Sequence, residues 1–243
     1  MAIFISMLFE RMILMDFLSS GLGYYFILFV SLLLTLGSQS YINSAYRKTK
    51  KIKSKSAMSG YDVARKILDA NGLKNVKVQE VNGTLTDHYD PKNKVVNLSN
   101  DIYNGISLAS ISVASHECGH AIQDKEGYSF LRLRHQLVPF VNIASRAGYI
   151  IIMISIFASL LKLLWIGIAL EFVILLFQLV TLPVEFNASS RALKKIIELK
   201  IVDEKELSHC KSMLTAAALT YVASVATAIL EIIRLIAIAR RDD

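Results

Sequence analysis

Long apolar segments constrain the fold of this chain more than any other feature, because each of them needs a membrane or a large core to cover it. Of the 243 residues, 53% are hydrophobic and 19% are charged, and the mean hydropathy is +0.45. The charged residues separate the apolar blocks. Residues 21–40 and 213–239 each match the roughly 20 residues that a helix needs to cross the hydrocarbon layer. Residues 141–184 are too long for one span and predict a helical hairpin with Lys162 near its turn.

Five segments follow from these blocks and from the charged residues between them. In chain order they are an N-terminal segment with the first span, an α+β region, a transmembrane hairpin, a charged helix and a C-terminal membrane helix: 1–45, 46–140, 141–182, 183–212 and 213–243. We therefore predict a mainly α membrane protein with about four transmembrane helices and a small cytosolic α+β subdomain. The last helix is also compatible with an interfacial position.

Three features of the chain refine the segment boundaries. Pro139 is expected to precede the hairpin, and Pro183 is expected to begin the charged helix. From Met1 to Phe17 the chain is apolar but interrupted by charges, and it shows no clear cleavage site with small residues. An uncleaved anchor is therefore favoured over a signal peptide. Several early methionines leave the start position open.

The formal charge of +7 has a membrane interpretation. Six lysines or arginines lie between Arg47 and Lys55, directly after the first span. The positive-inside rule and attraction to anionic lipid explain this placement better than nucleic-acid binding does. We expect a multi-pass protein whose α+β region and charged helix face the cytoplasm, with a lipid bilayer and no nucleic acid among its partners. The two cysteines provide no disulfide framework, and oligomer formation is left open.

Between residues 56 and 128 the pattern predicts one amphipathic helix followed by a small sheet. Ser59 is suited to cap a helix that carries Val63 and Ile67 on one face. A strand, a turn and two further strands are expected next: 76–81, 82–83, 85–89 and 94–98. Two interpretations of residues 94–98 stay open, a packed strand or an exposed edge that binds an extended peptide by backbone hydrogen bonds.

The most informative motif is H-E-x-x-H, which reads HECGH from His116 to His120. On a helix, residues four apart lie one turn above each other, so both histidines can bind one metal ion from the same face. Glu117 is rotated by about 100° from His116, which places it near a metal-bound water without making it a ligand. Cys118 is rotated by about 200° and is predicted to be a small packing residue. Two histidines and a glutamate are costly in an apolar helix without a metal, so the motif predicts a zinc site.

Catalytic zinc usually has three protein ligands and an open position for water. The metzincin extension of the motif is excluded, because Gln123 and Glu126 stand where it needs Gly and His. Glu185 is the strongest candidate for the third ligand, since a carboxylate directly past an apolar span is costly without a partner. It is also expected at a helix start, where its alternative role is a favourable interaction with the helix dipole. Three histidines and several other carboxylates also stay available: His88, His135 and His209.

Four blocks of the sequence resemble one protein family. They read LTDHYDP, ASHECGHAIQ, TLPVEFNAS and LTYVA, at residues 85–91, 114–123, 181–189 and 219–223. In this order they resemble the bacterial membrane zinc metallopeptidases of the YugP type, whose layout is similar to that of the heat-shock membrane proteases and the CAAX prenyl endopeptidases. The resemblance implies a membrane-embedded, zincin-like fold in the bacterial plasma membrane, one catalytic Zn²⁺ ion and Glu185 as its third ligand. The family usually has Asp where this chain has Asn187. We expect this difference to change how the metal ligands are supported and tuned, but not to abolish the metal site.

Together these features predict a membrane-embedded, gluzincin-like zinc endopeptidase with its active site facing the cytoplasm. It is expected to hydrolyse peptide bonds of membrane or membrane-associated proteins by zinc-activated water, with Glu117 as the general base. The candidate oxyanion donors are His88, Tyr89, His135 and Arg134. The main alternative is a non-proteolytic, zinc-binding membrane scaffold, against which the presence of Glu117 argues. A transporter is disfavoured because the chain has few spans and no visible inverted repeat.

Overall fold

The computed structural model describes residues 20–240 and consists mainly of helices with one small sheet. In chain order the elements are α1 (Gly21–Lys50), α2 (Gly60–Ala70), β1 (Lys77–Val81), β2 (His88–Asp90), β3 (Val95–Ser99), α3 (Asn100–Tyr103), α4 (Leu108–Lys125), α5 (Ser129–Phe157), α6 (Leu161–Glu198) and α7 (Glu204–Ala239). The anchor predicted from Met1 to Phe17 lies outside the described residues, as do residues 241–243.

Four helices, α1, α5, α6 and α7, are long and apolar enough to cross a membrane. This finding confirms the prediction of a mainly α membrane protein with about four spans. The predicted hairpin is formed by α5 and α6, which pack together where Ile152 meets Leu164 and Ile168. Lys162 lies in the first turn of α6, next to the connection between the two helices.

The described residues form two compact units. The apolar unit comprises residues 20–37, 136–179 and 222–240, and the site unit comprises residues 38–135 and 180–221. The boundaries fall within α1, α5, α6 and α7, so each of these helices contributes a segment to both units.

In the apolar unit, a small core of aliphatic side chains comes from α5, α6 and α7: Ile152, Leu164, Ile168, Ile232 and Leu235. Large apolar side chains elsewhere are exposed, among them Leu22 at 71% and Phe157 at 80%. Exposure on this scale suits contact with lipid rather than water. Arg234 is buried and is compensated by an ion pair with Glu231 and by the ring of Tyr24, whose centroid lies 4.9 Å from the guanidinium carbon.

The core of the site unit forms where α2 packs against α4. Ser59 caps α2 through a capping box with Asp62, as its position before the apolar pattern predicts. Val63 is fully buried, as the predicted apolar face requires. Cys118 on α4 is also fully buried, with its sulfur 3.6 Å from the carbonyl oxygen of Ala64. The packing role predicted for Cys118 is thus confirmed.

The sheet has the order β1-β3-β2, with β1 parallel and β2 antiparallel to β3. All five residues of β3 are buried, because two strands flank it and the helices α2 and α4 contact it. The hypothesis of an exposed edge at residues 94–98 is therefore wrong, and the strand is a packed one. The turn at Gly83 (φ +109°) joins strands that do not pair with each other. Asp87 fixes the start of β2 beside β3 by accepting hydrogen bonds from the backbone N–H of Ser99 at 2.7 Å and from its hydroxyl at 3.1 Å.

Two prolines lie inside helices rather than at their beginnings. Pro139 lies within α5, and Pro183 lies within α6. A proline removes one backbone donor from a helix, and membrane helices tolerate this because neighbouring groups satisfy the freed carbonyl. Glu185 consequently lies well inside α6, so the expectation of a helix start at this residue, and with it the helix-dipole interpretation, is wrong.

Candidate metal centre

Helix α4 presents His116 and His120 on one face, one turn apart. The helix begins where the hydroxyl of Ser107 accepts a hydrogen bond from the backbone N–H of Ser110, which satisfies one of the free donors of the first turn. The two imidazole rings are inclined at 84° to each other, and their centroids are 4.8 Å apart. The regular geometry of this helix is therefore enough to bring both rings to one point.

Glu185 reaches the same point from α6. Its Oε2 atom lies 3.2 Å from Nε2 of His116 and 3.7 Å from Nε2 of His120. Among residues 20–240, these three side chains form a group whose potential ligand atoms all lie within 4.8 Å of one another. The carboxylate is only 3% exposed, so it is held away from water in a position where a metal ion could compensate its charge.

The outer nitrogen of each imidazole is engaged by a neighbouring polar side chain. Nδ1 of His116 lies 3.2 Å from the hydroxyl oxygen of Ser189, and Nδ1 of His120 lies 3.0 Å from the side-chain oxygen of Gln123. Such contacts orient a metal-binding histidine and leave its other nitrogen directed at the metal. Here the remaining nitrogens, both Nε2, face Glu185.

Gln123 fixes the orientation of His120. Its amide nitrogen donates to the carbonyl oxygen of Val184 at 2.8 Å and to the side-chain oxygen of Asn187 at 3.0 Å. Both partners are acceptors, so the amide oxygen must face His120, and neutral His120 therefore carries its proton on Nδ1. This tautomer presents the lone pair of Nε2 to the cluster. Asn187 also accepts a hydrogen bond from Nε of Arg191 at 2.6 Å, which connects the predicted supporting residue to this network.

Arg134 is the one sequence-predicted oxyanion candidate that contacts the cluster. Its NH1 group donates to Oε1 of Glu185 at 3.0 Å, while the other carboxylate oxygen faces the two histidines. Burial lowers the pKa of His120, but the hydrogen bond to Glu185 and the carboxylates of Glu117 and Glu185 raise it by more, so its pKa lies above the usual value. The surroundings of His120 are thus electrostatically suited to a cation.

A close approach of α4 and α6 makes these contacts possible. A Cβ atom at Gly119 would lie 2.5 Å from the backbone carbonyl oxygen of Ala188, which is closer than side chains allow. Gly119, at the second variable position of the motif, therefore permits the helix carrying both histidines to approach the helix carrying Glu185.

A cavity of about 200 Å³ lies beside the cluster and is lined by His116, Glu117 and Glu185. Glu117 is largely buried, at 8% exposure, and it is not a member of the three-residue group. Tyr221 on α7 lines the same cavity, and its phenol interacts electrostatically with Glu185 and Glu117. The cavity therefore joins the three potential ligands to one further carboxylate and one phenol.

The remaining sequence-predicted candidates lie apart from this cavity. His88 is exposed on β2, where its ring contacts the backbone oxygen of Thr86 at 2.7 Å. Tyr89 donates a hydrogen bond to Asp124 at 2.6 Å. His135 is exposed and His209 is half-buried, and neither belongs to the group of potential ligands found among residues 20–240.

Sequence reasoning missed Ser189, Gln123 and Tyr221 as parts of the site. Gln123 carried a usable signal, because it lies three residues after His120 and therefore on the same face of the helix. Tyr221 lies in one of the blocks that carry the family resemblance, but its spacing from the motif contains no information about contact. The distance of Ser189 from Glu185, one helical turn, would have identified it once Glu185 was accepted as a ligand.

The chain is similar to known proteins over most of its length. A family model described as "Putative neutral zinc metallopeptidase" matches residues 24–240 of the chain. The chain is 43% identical over 215 residues to a protein of Bacillus subtilis (strain 168) named "Putative membrane protease YugP", and the match covers 88% of this chain and 96% of the relative. No solved structure matches the chain.

Proposed function

Because the chain belongs to the family of putative neutral zinc metallopeptidases, we propose that it is a zinc-dependent endopeptidase that cleaves membrane or membrane-associated proteins. The observation that carries the proposal is the convergence of two imidazoles from α4 and a carboxylate from α6 on one point. The four apolar helices and the name of the Bacillus relative, a membrane protease, support a substrate at or in the bilayer.

The side chains present fit a Zn²⁺ ion. His116, His120 and Glu185 offer two nitrogens and one oxygen, a set of three ligands that leaves one position open, as in catalytic zinc sites. The contacts of Ser189 and Gln123 with the outer nitrogens supply the supporting shell that such ligands need. When bound, the ion supplies Lewis acidity, which polarises a peptide carbonyl and makes water nucleophilic near neutral pH.

Glu117 is the general base in this proposal. As the new bond between water oxygen and carbonyl carbon forms, its carboxylate accepts the proton of the water. As the carbon–nitrogen bond breaks, the carboxylate returns that proton to the leaving amine. Its position on the cavity wall next to His116, outside the group of three ligands, leaves it available for this exchange.

Tyr221 is the proposed donor to the oxyanion. Its phenol lines the cavity and interacts there with Glu185, whereas the hydroxyl of Ser189, which lines the same cavity, lies 3.2 Å from His116. A donor aimed at the developing negative charge is often the largest single contribution to catalysis. Arg134 has a different role, because its contact with Oε1 of Glu185 suits it to hold the ligand carboxylate in position.

We also propose that the active site faces the cytoplasm of a bacterial plasma membrane. The six basic residues between Arg47 and Lys55 belong to the same site unit as the cluster, and such residues concentrate on the cytoplasmic side. In intact cells, a cysteine in Lys51→Cys should be protected from an impermeant thiol reagent, whereas one in Lys162→Cys should be labelled. The reverse pattern would place the site on the outer face.

The Glu117→Gln variant tests the proposed reaction. Detergent-purified protein carrying this change should retain zinc and its melting temperature, because the three ligands are intact. Casein cleavage should fall by roughly 100- to 10,000-fold, the contribution of a positioned general base. The matched control is Glu204→Gln, which neutralises an exposed carboxylate at the start of α7 and should leave cleavage unchanged.

The outcomes separate an enzyme from a scaffold. Equal cleavage by wild type and Glu117→Gln would remove Glu117 from the mechanism. Stoichiometric zinc without Glu117-dependent cleavage of any protein would favour a zinc-binding scaffold instead.

A further inference from the structure

We propose that the cavity beside the metal centre is a specificity pocket that accepts one aliphatic side chain, of about the size of leucine or methionine, next to the scissile bond. The proposal rests on the endopeptidase function argued above and adds the class of substrate sequence. All the residues that line the cavity belong to the site unit.

Most of the surface of the pocket is apolar, and its aliphatic side chains come from three helices and one loop. They include Ile42 on α1, Val113 on α4, Leu214, Ala217 and Ala218 on α7, and Leu85 before β2. The positions on α7 follow the spacing of one helix face, which continues to Tyr221 one turn after Ala217 and Ala218. The face that carries the proposed oxyanion donor is therefore also the face that forms the apolar wall.

The size of the pocket follows from two small residues. Leu214 and Tyr221 are large, but Ala217 and Ala218 between them project only a methyl group each, which leaves a volume of about 200 Å³. An apolar cavity of about 150 Å³ holds a benzene molecule in another protein, so this volume suits one medium-sized to large side chain. Replacing Ala217 by a larger residue should fill the space.

The polar groups of the lining do not favour a charged guest. The amide nitrogen of Gln39 donates to the side-chain oxygen of Asn43 at 3.2 Å, and Asp87 accepts hydrogen bonds from Ser99. These groups thus already have partners within the protein. Asp87 and Glu117 would repel an acidic side chain, and a lysine would lose its hydration in a largely apolar pocket where Asp87 is already bonded to Ser99.

Leu85 forms the loop side of the pocket. It is 57% exposed, and its backbone has the left-handed conformation (φ +58°) that leucine rarely adopts. Asp87, two residues later, is held by Ser99, which anchors this loop beside the cavity. An exposed leucine held at the opening of an apolar pocket is placed to cover the guest side chain of a bound peptide.

A peptide library measures this preference directly. A mixture of tryptic peptides is digested with the purified protein, and the cleaved bonds are identified by mass spectrometry, with Glu117→Gln as the blank. One methylene group in an apolar pocket changes kcat/KM by roughly 10- to 200-fold, so leucine and methionine should exceed glycine and aspartate by at least about 10-fold at one of the two flanking positions.

Filling the pocket should change the preference in a defined direction. Ala217→Leu should shift the preferred residue from leucine to alanine or glycine, and Ala217→Val should give a smaller shift if the larger change disturbs folding. The matched control is Ala223→Leu, which enlarges a half-buried alanine of the same helix outside the pocket lining and should keep the wild-type preference. Zinc content and melting temperature establish that each variant is folded.

A binding measurement gives a second reading that does not depend on cleavage. Glu117→Gln should bind a fluorescent decapeptide with leucine at the preferred position at least about 10-fold more tightly than the same peptide with alanine, and Ala217→Leu in that background should remove the difference. Glu117-dependent cleavage without aliphatic preference, or with a preference for lysine or arginine, would overturn the pocket while leaving the proposed function intact. Identical digests from wild type and Glu117→Gln would instead overturn the proposed function, and the pocket with it.

Discussion

Buried charge is organised differently in the two units of this protein. In the apolar unit, Arg234 is neutralised by Glu231, three residues earlier on the same helix. In the site unit, Glu185 contacts His116 and Arg134, which are 69 and 51 residues away and lie on other helices. An ion pair within one turn forms wherever the helix forms. The contacts of Glu185, in contrast, require three helices to pack in the correct positions. Charge that is assembled from distant elements is therefore the better indicator of a functional site.

The largest effect expected from this comparison is on zinc retention. Glu185→Ala removes one of three proposed ligands and should lower zinc affinity by more than the 10- to 100-fold typical of a lost supporting contact. Glu231→Ala, which removes the carboxylate of the apolar unit, should leave zinc affinity unchanged. Competition with a chromophoric chelator measures both. Equal zinc binding by wild type and Glu185→Ala would mean that the third ligand is another residue.

The second largest effect is expected on kcat, when a single hydroxyl is removed from the site unit and not when one is removed from the apolar unit. Tyr221→Phe should reduce kcat by roughly 100- to 1,000-fold, the cost of losing one oxyanion donor, while zinc content stays constant. Tyr24→Phe keeps the ring that faces Arg234 and should not affect kcat. If Tyr221→Phe raises KM alone, the phenol contributes to peptide binding and not to the transition state.

Substitution of two glutamines, one in each unit, should give a smaller difference in zinc affinity. Gln123→Leu should weaken zinc binding by about 10- to 100-fold, because His120 loses the contact that fixes its tautomer. Gln178→Leu, in the apolar unit, removes a buried amide oxygen that has no hydrogen-bond partner, and it should maintain both zinc affinity and stability. Isothermal titration with Zn²⁺ distinguishes them, and equal affinities would show that Gln123 only packs.

The smallest effect is expected for the local ion pair itself. Arg234→Gln leaves Glu231 without its partner, but that carboxylate is 30% exposed, so the loss of stability should be about 1 kcal/mol, at the low end for an unpaired polar group. The double variant Glu231→Gln/Arg234→Gln should recover most of it. Thermal unfolding in detergent measures the change. Loss of zinc from Arg234→Gln would contradict the separation of roles between the units.

Local periodicity explains what the sequence predicts well. The apolar blocks predict the four long helices, and the capping position of Ser59 predicts the start of α2, because both depend only on neighbouring residues. The one-turn spacing of His116 and His120 likewise predicts their shared face. These features are decided within a few turns of helix.

Contacts between distant elements explain what the sequence does not predict. Strand β3 lies between β1 and β2 although it follows both in the chain, so an edge and a centre could not be distinguished by pattern. The cost of burying a carboxylate pointed to Glu185, but the assumed helix start at Pro183 was wrong, because tertiary context carries α6 through the proline. Tyr221 becomes recognisable as part of the site only once α4, α6 and α7 are packed together.

The burial of Cys118 makes the metal motif resistant to thiol chemistry although a cysteine stands in its centre. Burial raises the pKa of this thiol, and the nucleophilic form of cysteine is the thiolate, so Cys118 reacts slowly with oxidants and alkylating agents in the folded protein. The other cysteine of the chain, Cys210, is buried as well. Thiol-labelling experiments can therefore use the natural sequence, because the two native cysteines are buried in the folded protein and become accessible to the reagent on unfolding.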